Sequence, residues 1–452
     1  MASLTLYGGA GEIGGNKILI KDKGSNVFLD FGEEFNFGSD FFYDWLAPRN
    51  VNGMELYFEL NLMPRIPGLY SKSMLERSDM KYEKPKIDAI FISHAHSDHF
   101  GHIKFVDESI PIYIGHCAHR IIQNYNELYR SIQDLGVHDT LMEFESGSKI
   151  TAGEMKVEPI HVEHSIPGAY GFVINTSAGS VVYTGDLRMH GPRSDMTEEF
   201  IRKANKAEPE YLLIEGTRVT SESERNLTEQ DVAQRVDRII KEAKSSVFCY
   251  FPMANVDRFM SFYRAAVEND RILVIDTRLA YMIQNLHDKI MVLPDVLKDK
   301  NIRVYFRLEK SCKFDDMDYS TKDRLFCPKM ITADDIAKRP NKYVIHLNFN
   351  KLIELIYIKP HNADFIYSSS EHFYEGEENE EQRRVWQNWM AHFGMRWHMA
   401  HCSGHASRED LTDIIETIKP KTLIPVHTDA PDEFRKIHPK IILPKKGETL
   451  KL

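Results

Sequence analysis

The chain has 452 residues, 42% of them hydrophobic and 27% charged, and carries a net charge of −10. That length exceeds what one hydrophobic core usually fills, so a globular chain with two domains is expected. The acidic balance excludes a protein that coats nucleic acid by bulk positive charge, so any nucleic acid would need a local channel and a metal centre.

No apolar run approaches the roughly 20 residues of a membrane span, and no membrane partner is expected. Met1-Ala2-Ser3-Leu4-Thr5-Leu6-Tyr7-Gly8-Gly9 reads as a short strand entering glycines, not as a signal peptide. Cys117, Cys249, Cys312, Cys327 and Cys402 form no CxxC pair. A disulfide framework or cysteine metal site is not expected, and a reducing cytoplasm fits.

The first half predicts strands at Ser3–Tyr7, Lys17–Ile20, Val27–Phe31, Ile87–Ser93, Pro111–Ile114, Met155–Ile160, Gly171–Asn175 and Ser180–Thr184. Gly, Asp and Ser turns between them point to antiparallel meanders. Helical patterns cover Cys117–Leu128 and Glu198–Lys206. The stretch Phe35–Lys84 has no clean period and reads as an elaborated insertion or lid.

From about Thr217 the pattern changes. Thr228 caps a helix running to Ala243, with Asp231 three residues on in a near-capping box. Strands at Ser246–Phe251 and Arg271–Ile275 alternate with helices at Val256–Val267 and Leu279–His287. Later strands lie at Tyr343–Leu347 and Asp364–Ser368. This alternation predicts a parallel sheet with covering helices. The acidic run Glu375–Glu381 reads as a solvated helix start. Strand Arg396–Ala400, helix Arg408–Ile418, strand Thr422–Val426, helix Asp432–Ile437 and two short strands complete the chain. The expected division is 1–216 and 396–452 for one domain, with 217–395 inserted into it.

The most telling motif is Ser93-His94-Ala95-His96-Ser97-Asp98-His99, directly after the apolar run Ile87–Ile92. Side chains alternate along a strand, so His94 and His96 share a side, and a turn brings Asp98 and His99 round to them. Imidazole and carboxylate are good zinc ligands, and this order supplies two adjacent ions. Four further residues end apolar strands or lie beside them: Asp30, His164, Asp186 and His427. A strand that stops at such a residue places it on the sheet rim.

These features resemble the β-CASP nuclease group of metallo-β-lactamase-fold hydrolases, and within it the ribonuclease J family. HxHxDH points to the superfamily. Glu215 in Leu212-Leu213-Ile214-Glu215-Gly216-Thr217 and the turn His401-Cys402-Ser403-Gly404-His405-Ala406 point to the group. Met253-Ala254-Asn255-Val256-Asp257-Arg258 resembles its Asn-x-x-Arg element more weakly. The likeness covers nearly the whole chain, and its length resembles the shorter archaeal form.

The resemblance implies an αββα metallo-β-lactamase sandwich with an inserted parallel α/β β-CASP domain. It implies two zinc ions: one held by His94, His96 and His164, the other by Asp98, His99 and His427, with Asp186 bridging. Asp30 would orient the ligands. Asp98 or Asp186 would accept the proton of the attacking water. His405, oriented by Glu215, would serve the leaving group. His401 and Ser403, aided by Ser369 or Ser370, would hold a 5′-phosphate. Histidine at 427 is typical of the group's RNA-acting members. The expected activity is a cytoplasmic zinc-dependent ribonuclease on single-stranded RNA, 5′→3′ from a 5′-monophosphate end, with endonuclease activity and homodimerisation left open.

Two readings compete. A small-molecule metallo-hydrolase would share the HxHxDH motif but needs neither the domain-sized insertion nor the His401–His405 turn. A non-catalytic RNA-binding subunit would have lost ligands, and none of the seven is missing. His102, His116, His119 and His161 are read as structural or surface residues, and His190 is left without a role.

Overall fold

The computed structural model describes residues 2–43, 46–49, 53–129, 141–220, 227–288, 291–370, 374, 376 and 379–452. Two compact units result. The first comprises Met1–Met189, Arg193–Glu224 and Gly404–Leu452; the second comprises His190–Pro192 and Arg225–Ser403.

The first unit holds two sheets. One runs, edge to edge, Thr449–Lys451, Ser3–Gly8, Lys17–Asp22, Ser25–Phe31, Ala89–Ile92, Ile112–Gly115 and Leu141–Phe144. The other runs Thr422–Val426, Tyr211–Glu215, Gly179–Tyr183, Ala169–Thr176, Met155–Val162 and Ile150–Ala152. Strand alternation sorts their side chains into layers. Val181, Tyr183 and Leu213 join Leu6, Leu29 and Phe91 in one core between the sheets. Val182, Leu212 and Ile214 face the other way, onto Phe200, Ile201, Leu411 and Ile415 of helices Ser194–Lys206 and Arg408–Ile418. Helix His116–Leu128 buries Ala118, Ile121 and Ile122. The result is the expected α/β/β/α sandwich.

The sequence-based expectation of antiparallel meanders is only half correct. Thr449–Lys451 through Ser25–Phe31 pair antiparallel, but Ser25–Phe31, Ala89–Ile92, Ile112–Gly115 and Leu141–Phe144 pair parallel. Ala89–Ile92 is buried at every position, as parallel strands covered on both faces are. Within Phe35–Lys84 lie two short helices, Glu55–Glu59 and Lys72–Leu75. Phe58, Leu69, Tyr70 and Leu75 are buried there, so the segment has a packed interior. Near the C-terminus, Pro431–Lys436 is a 3₁₀ helix, and Thr449–Lys451 is the one terminal strand; Ile441 contributes only a bridge to Leu423.

The second unit is built on one parallel sheet in the order Met330–Ile331, Ile302–Tyr305, Ile272–Asp276, Tyr343–His346, Val247–Tyr250, Asp364–Tyr367, Arg396–Met399. Helix Glu229–Glu242 carries a full capping box between Thr228 and Asp231. Arg396–Met399 hydrogen-bonds to Asp364–Tyr367. It therefore belongs to this sheet, and the chain re-enters the first unit at Gly404 instead of residue 396. The acidic run falls partly outside the described residues; the helix beyond it is Glu380–His392. Among the described residues no helix is long and apolar enough to cross a membrane.

Candidate metal centre

All seven expected ligands lie in the first unit: His94, His96, His164, Asp186 and His427 shortly after strands, and Asp98 and His99 in the short helix Ser97–Phe100. His94, His96, His164 and Asp186 place one donor atom each within 4.8 Å of one another, as do Asp98, His99 and His427. His96 Nδ1 lies 2.9 Å from His94 Nε2 and 3.1 Å from His164 Nε2. Asp186 Oδ2 sits between the groups, 3.6 Å from His94 Nε2, 3.2 Å from His99 Nε2 and 3.7 Å from His427 Nε2. His427 Nε2 lies 3.0 Å from Asp98 Oδ2. Tetrahedral zinc with nitrogen ligands spaces its donors by about 3.3 Å, so these separations fit one ion in each group.

The outer nitrogens explain why the inner ones point inward. Ser93 Oγ donates to Asp30 Oδ2 at 2.8 Å, so at 3.0 Å it accepts from His94 Nδ1. His164 Nδ1 donates to Gly404 O at 2.6 Å. His99 Nδ1 donates to Asp30 Oδ2 at 2.7 Å. His427 Nδ1 meets Thr217 Oγ1 at 2.9 Å. Each anchored Nδ1 turns its Nε2 toward the centre, and in neutral His94 and His164 that Nε2 offers a lone pair, which is how second partners prepare metal histidines. Facing lone pairs cannot satisfy one another; a cation can. His99 Nε2 and Asp186 Oδ1 are buried and have no hydrogen-bond partner.

The electrostatics agree. Burial pushes His94 and His164 well below the usual imidazole value and His96 down to about 4, so all three are neutral. Burial also opposes charge on His99, but Asp186, Asp98 and Asp30 outweigh it and hold its pKa well above the ordinary value. A proton is kept there by three carboxylates that a metal cation would satisfy. Burial disfavours the Asp186 carboxylate too, yet His427 and His99 hold it well below the usual carboxylate range.

Asp30 accepts hydrogen bonds from the residue before His94 and from His99. Ser93 N donates to its Oδ1 at 2.7 Å, and Tyr183 OH to its Oδ2 at 2.7 Å. Asn16 Nδ2 in turn donates to Tyr183 OH at 3.0 Å. Asp30 and His427 both adopt left-handed backbone, with φ of 57° and 52°. That conformation is uncommon outside glycine and marks sites held by their surroundings. Gly32 is required: a Cβ there would lie 1.7 Å from Asp98 O.

Glu215 and His405 also meet in this unit. His405 Nδ1 lies 3.2 Å from Glu215 Oε1 and 3.9 Å from Asp186 Oδ2. Burial opposes the imidazolium, but the Glu215 carboxylate prevails and raises His405 to about 9. Thr217 N fixes the other Glu215 oxygen at 3.0 Å.

Sequence reasoning missed Ser93, Tyr183, Thr217 and the Arg188–Glu163 pair. Arg188 is fully buried and donates to Glu163 Oε1 at 2.8 Å, tying the segment after Asp186 to the residue before His164. Their signal was position: Tyr183 and Arg188 flank Asp186, and Glu163 precedes His164. The remaining phosphate-binding candidates lie in the second unit. Ser369 is buried and Ser370 half-buried after strand Asp364–Tyr367. His401 Nδ1 lies 3.4 Å from Arg258 Nη1, and Ser403 O lies 2.8 Å from His190 Nε2. His116 and His119 meet Glu143, and His161 stacks on Tyr170 at 4.2 Å. None of these histidines falls in a donor group.

Comparison with known proteins finds likenesses along most of the chain. A model described as a beta-lactamase superfamily domain matches residues 66–243, and one for a Zn-dependent metallo-hydrolase RNA specificity domain matches residues 394–435. Ribonuclease J of Helicobacter pylori is 23% identical over 447 residues, which cover 94% of this chain and 55% of that protein. Ribonuclease J of Thermus thermophilus is 23% identical over 433 residues, covering 93% and 67%. The chain thus spans about half the length of the Helicobacter relative. A crystal structure of a protein of unknown function from Enterococcus faecalis superposes over 100% of both chains, with a TM-score of 0.78 at 24% identity. These matches support the resemblance to the β-CASP, ribonuclease J-like metallo-β-lactamase-fold proteins.

Proposed function

We propose that the protein is a two-zinc ribonuclease that hydrolyses phosphodiester bonds of single-stranded RNA. His94, His96 and His164 would hold one ion, and Asp98, His99 and His427 the other, with Asp186 shared. Two such ions, when bound, supply an acidified water and neutralise charge on the phosphate. Asp98 and Asp186 turn carboxylate oxygens toward the same space and can take the water's proton. His405 carries a proton at neutral pH and passes it from Nε2 to the leaving 3′-oxygen, while Glu215 holds the ring through Nδ1.

The observation that carries this reading is the Glu215–His405 pair beside Asp186. An acid of raised pKa serves a poor leaving group, which small activated esters do not require. The ribonuclease J relatives and the RNA specificity match support RNA as substrate. We further propose 5′→3′ degradation from a 5′-monophosphate end, with His401, Ser403, Ser369 and Ser370 holding that phosphate, in a protein that acts in the cytoplasm.

Incubation with 5′-monophosphate, 5′-triphosphate and circular RNAs tests it. Mononucleotides from the monophosphate substrate alone establish the exonuclease reading; cut circles reveal endonuclease activity. His96→Ala and Asp186→Ala should abolish hydrolysis in folded protein. Full activity in those variants would sink the two-metal mechanism.

A further inference from the structure

The segment after strand Ser25–Phe31 is pinned to the residues that carry the metal donors. Gly32 N donates to Asn16 O at 2.9 Å, Glu33 N to Ser97 O at 3.0 Å, and Asn16 N to Asp98 O at 2.9 Å. Glu34 pairs with Gly14 in a β-bridge, and its carboxylate accepts from Lys446 Nζ at 2.6 Å. The backbone is therefore fixed up to Glu34. The next side chain, Phe35, is nonetheless 57% exposed.

Its ring stands beside Asp98. A Cβ built on Gly14, whose φ is +83°, would lie 2.8 Å from the Phe35 ring and 3.1 Å from Asp98 Cβ. The ring and the Asp98 Cβ thus both border the space that a side chain on Gly14 would fill. Single exposed apolar residues on a surface are ordinary. A ring on a rigid mount at the edge of a phosphodiesterase centre has a specific use, because every nucleobase offers it a flat face.

We propose that Phe35 stacks on the nucleobase of a nucleotide adjoining the scissile phosphate. It would act as a substrate-positioning subsite that tolerates any base. Stacking needs no hydrogen-bond code, so the subsite favours unpaired over paired RNA. This rests on the ribonuclease reading above.

The test uses full-length, metal-loaded protein and single-stranded oligoribonucleotides with one abasic ribose moved stepwise past the cleavage site. Phe35→Ala should raise KM about tenfold. For wild type, an abasic ribose at one position should raise KM by a similar factor. In Phe35→Ala that abasic penalty should vanish, and Phe35→Trp should restore it. Three results would overturn the proposal: an unchanged KM, a KM rise that keeps the abasic penalty, or a change of oligomeric state alone, which would make the ring a chain–chain contact. Wild type that hydrolyses bis(p-nitrophenyl) phosphate yet leaves RNA intact would remove the ribonuclease reading itself, and the subsite with it.

Discussion

At the scale of single residues, the site depends on groups that touch no ligand position. Asp30 receives Ser93, Tyr183 and His99, and through them sets the direction of two imidazoles. Asp30→Ala should weaken metal affinity about 10–100-fold, read by competition with a chromogenic chelator. An unchanged affinity would mean that packing alone orients the rings. Glu215 sets the proton on His405. A pKa raised above the free value means the imidazolium persists through neutral pH and is lost as pH rises through about 9. In Glu215→Gln the alkaline limb of the rate profile should therefore move to lower pH, with a fall in kcat of about 10²-fold. A limb left in place would assign it to another group. HxHxDH was legible because strand alternation and one turn suffice to gather it. Asp30's partners were not: Tyr183 is 153 residues away from it, and tertiary packing alone joins them.

At the scale of elements, one buried arginine organises the strand ends of the second unit. Arg258 is fully buried and donates to both Glu229 carboxylate oxygens, at 3.1 and 3.2 Å. It also donates to Ser368 Oγ at 2.6 Å and to Ala400 O at 3.2 Å. Helix Glu229–Glu242, strand Asp364–Tyr367 and the turn after Arg396–Met399 thus share one guanidinium. Removing one partner strands a buried charge, so Glu229→Gln or Arg258→Ala should cost about 3–5 kcal/mol in urea unfolding. A cost below about 1 kcal/mol would show the pair to be dispensable. The helices here were legible from caps and period. The short strand Ile302–Tyr305 was not, because four residues including Arg303 carry too little alternation. Leu141–Phe144 escaped for a related reason: its middle residues Met142 and Glu143 are exposed.

At the scale of the whole molecule, pH resistance and metal content are the testable properties. Asp276 caps helix Thr277–Leu286 through Leu279 N at 2.8 Å and pairs with Lys351 Nζ at 2.8 Å. Burial opposes its charge, but Lys351, His346 and the Leu279 amide prevail and lower it to about 2. A depressed carboxylate contributes stability that is fully present above its unfolded value of 3.8 and lost as pH falls toward about 2. That contribution is about 2 kcal/mol. Asp276→Asn should lose it at pH 7 and show a flatter loss of stability below pH 4; equal acid sensitivity would contradict this. The change of pattern near Thr217 lies close to the start of the second unit's main part at Arg225. The pairing of parallel strands was not legible, since local alternation does not record strand direction, and Arg396–Met399 is assigned only by its neighbour. The central claim is that seven side chains form a paired metal site. Elemental analysis of protein purified without chelator tests it most directly. The account predicts about two zinc ions per chain, falling in folded Asp186→Ala. Well-folded wild type with metal near zero after zinc loading would contradict it.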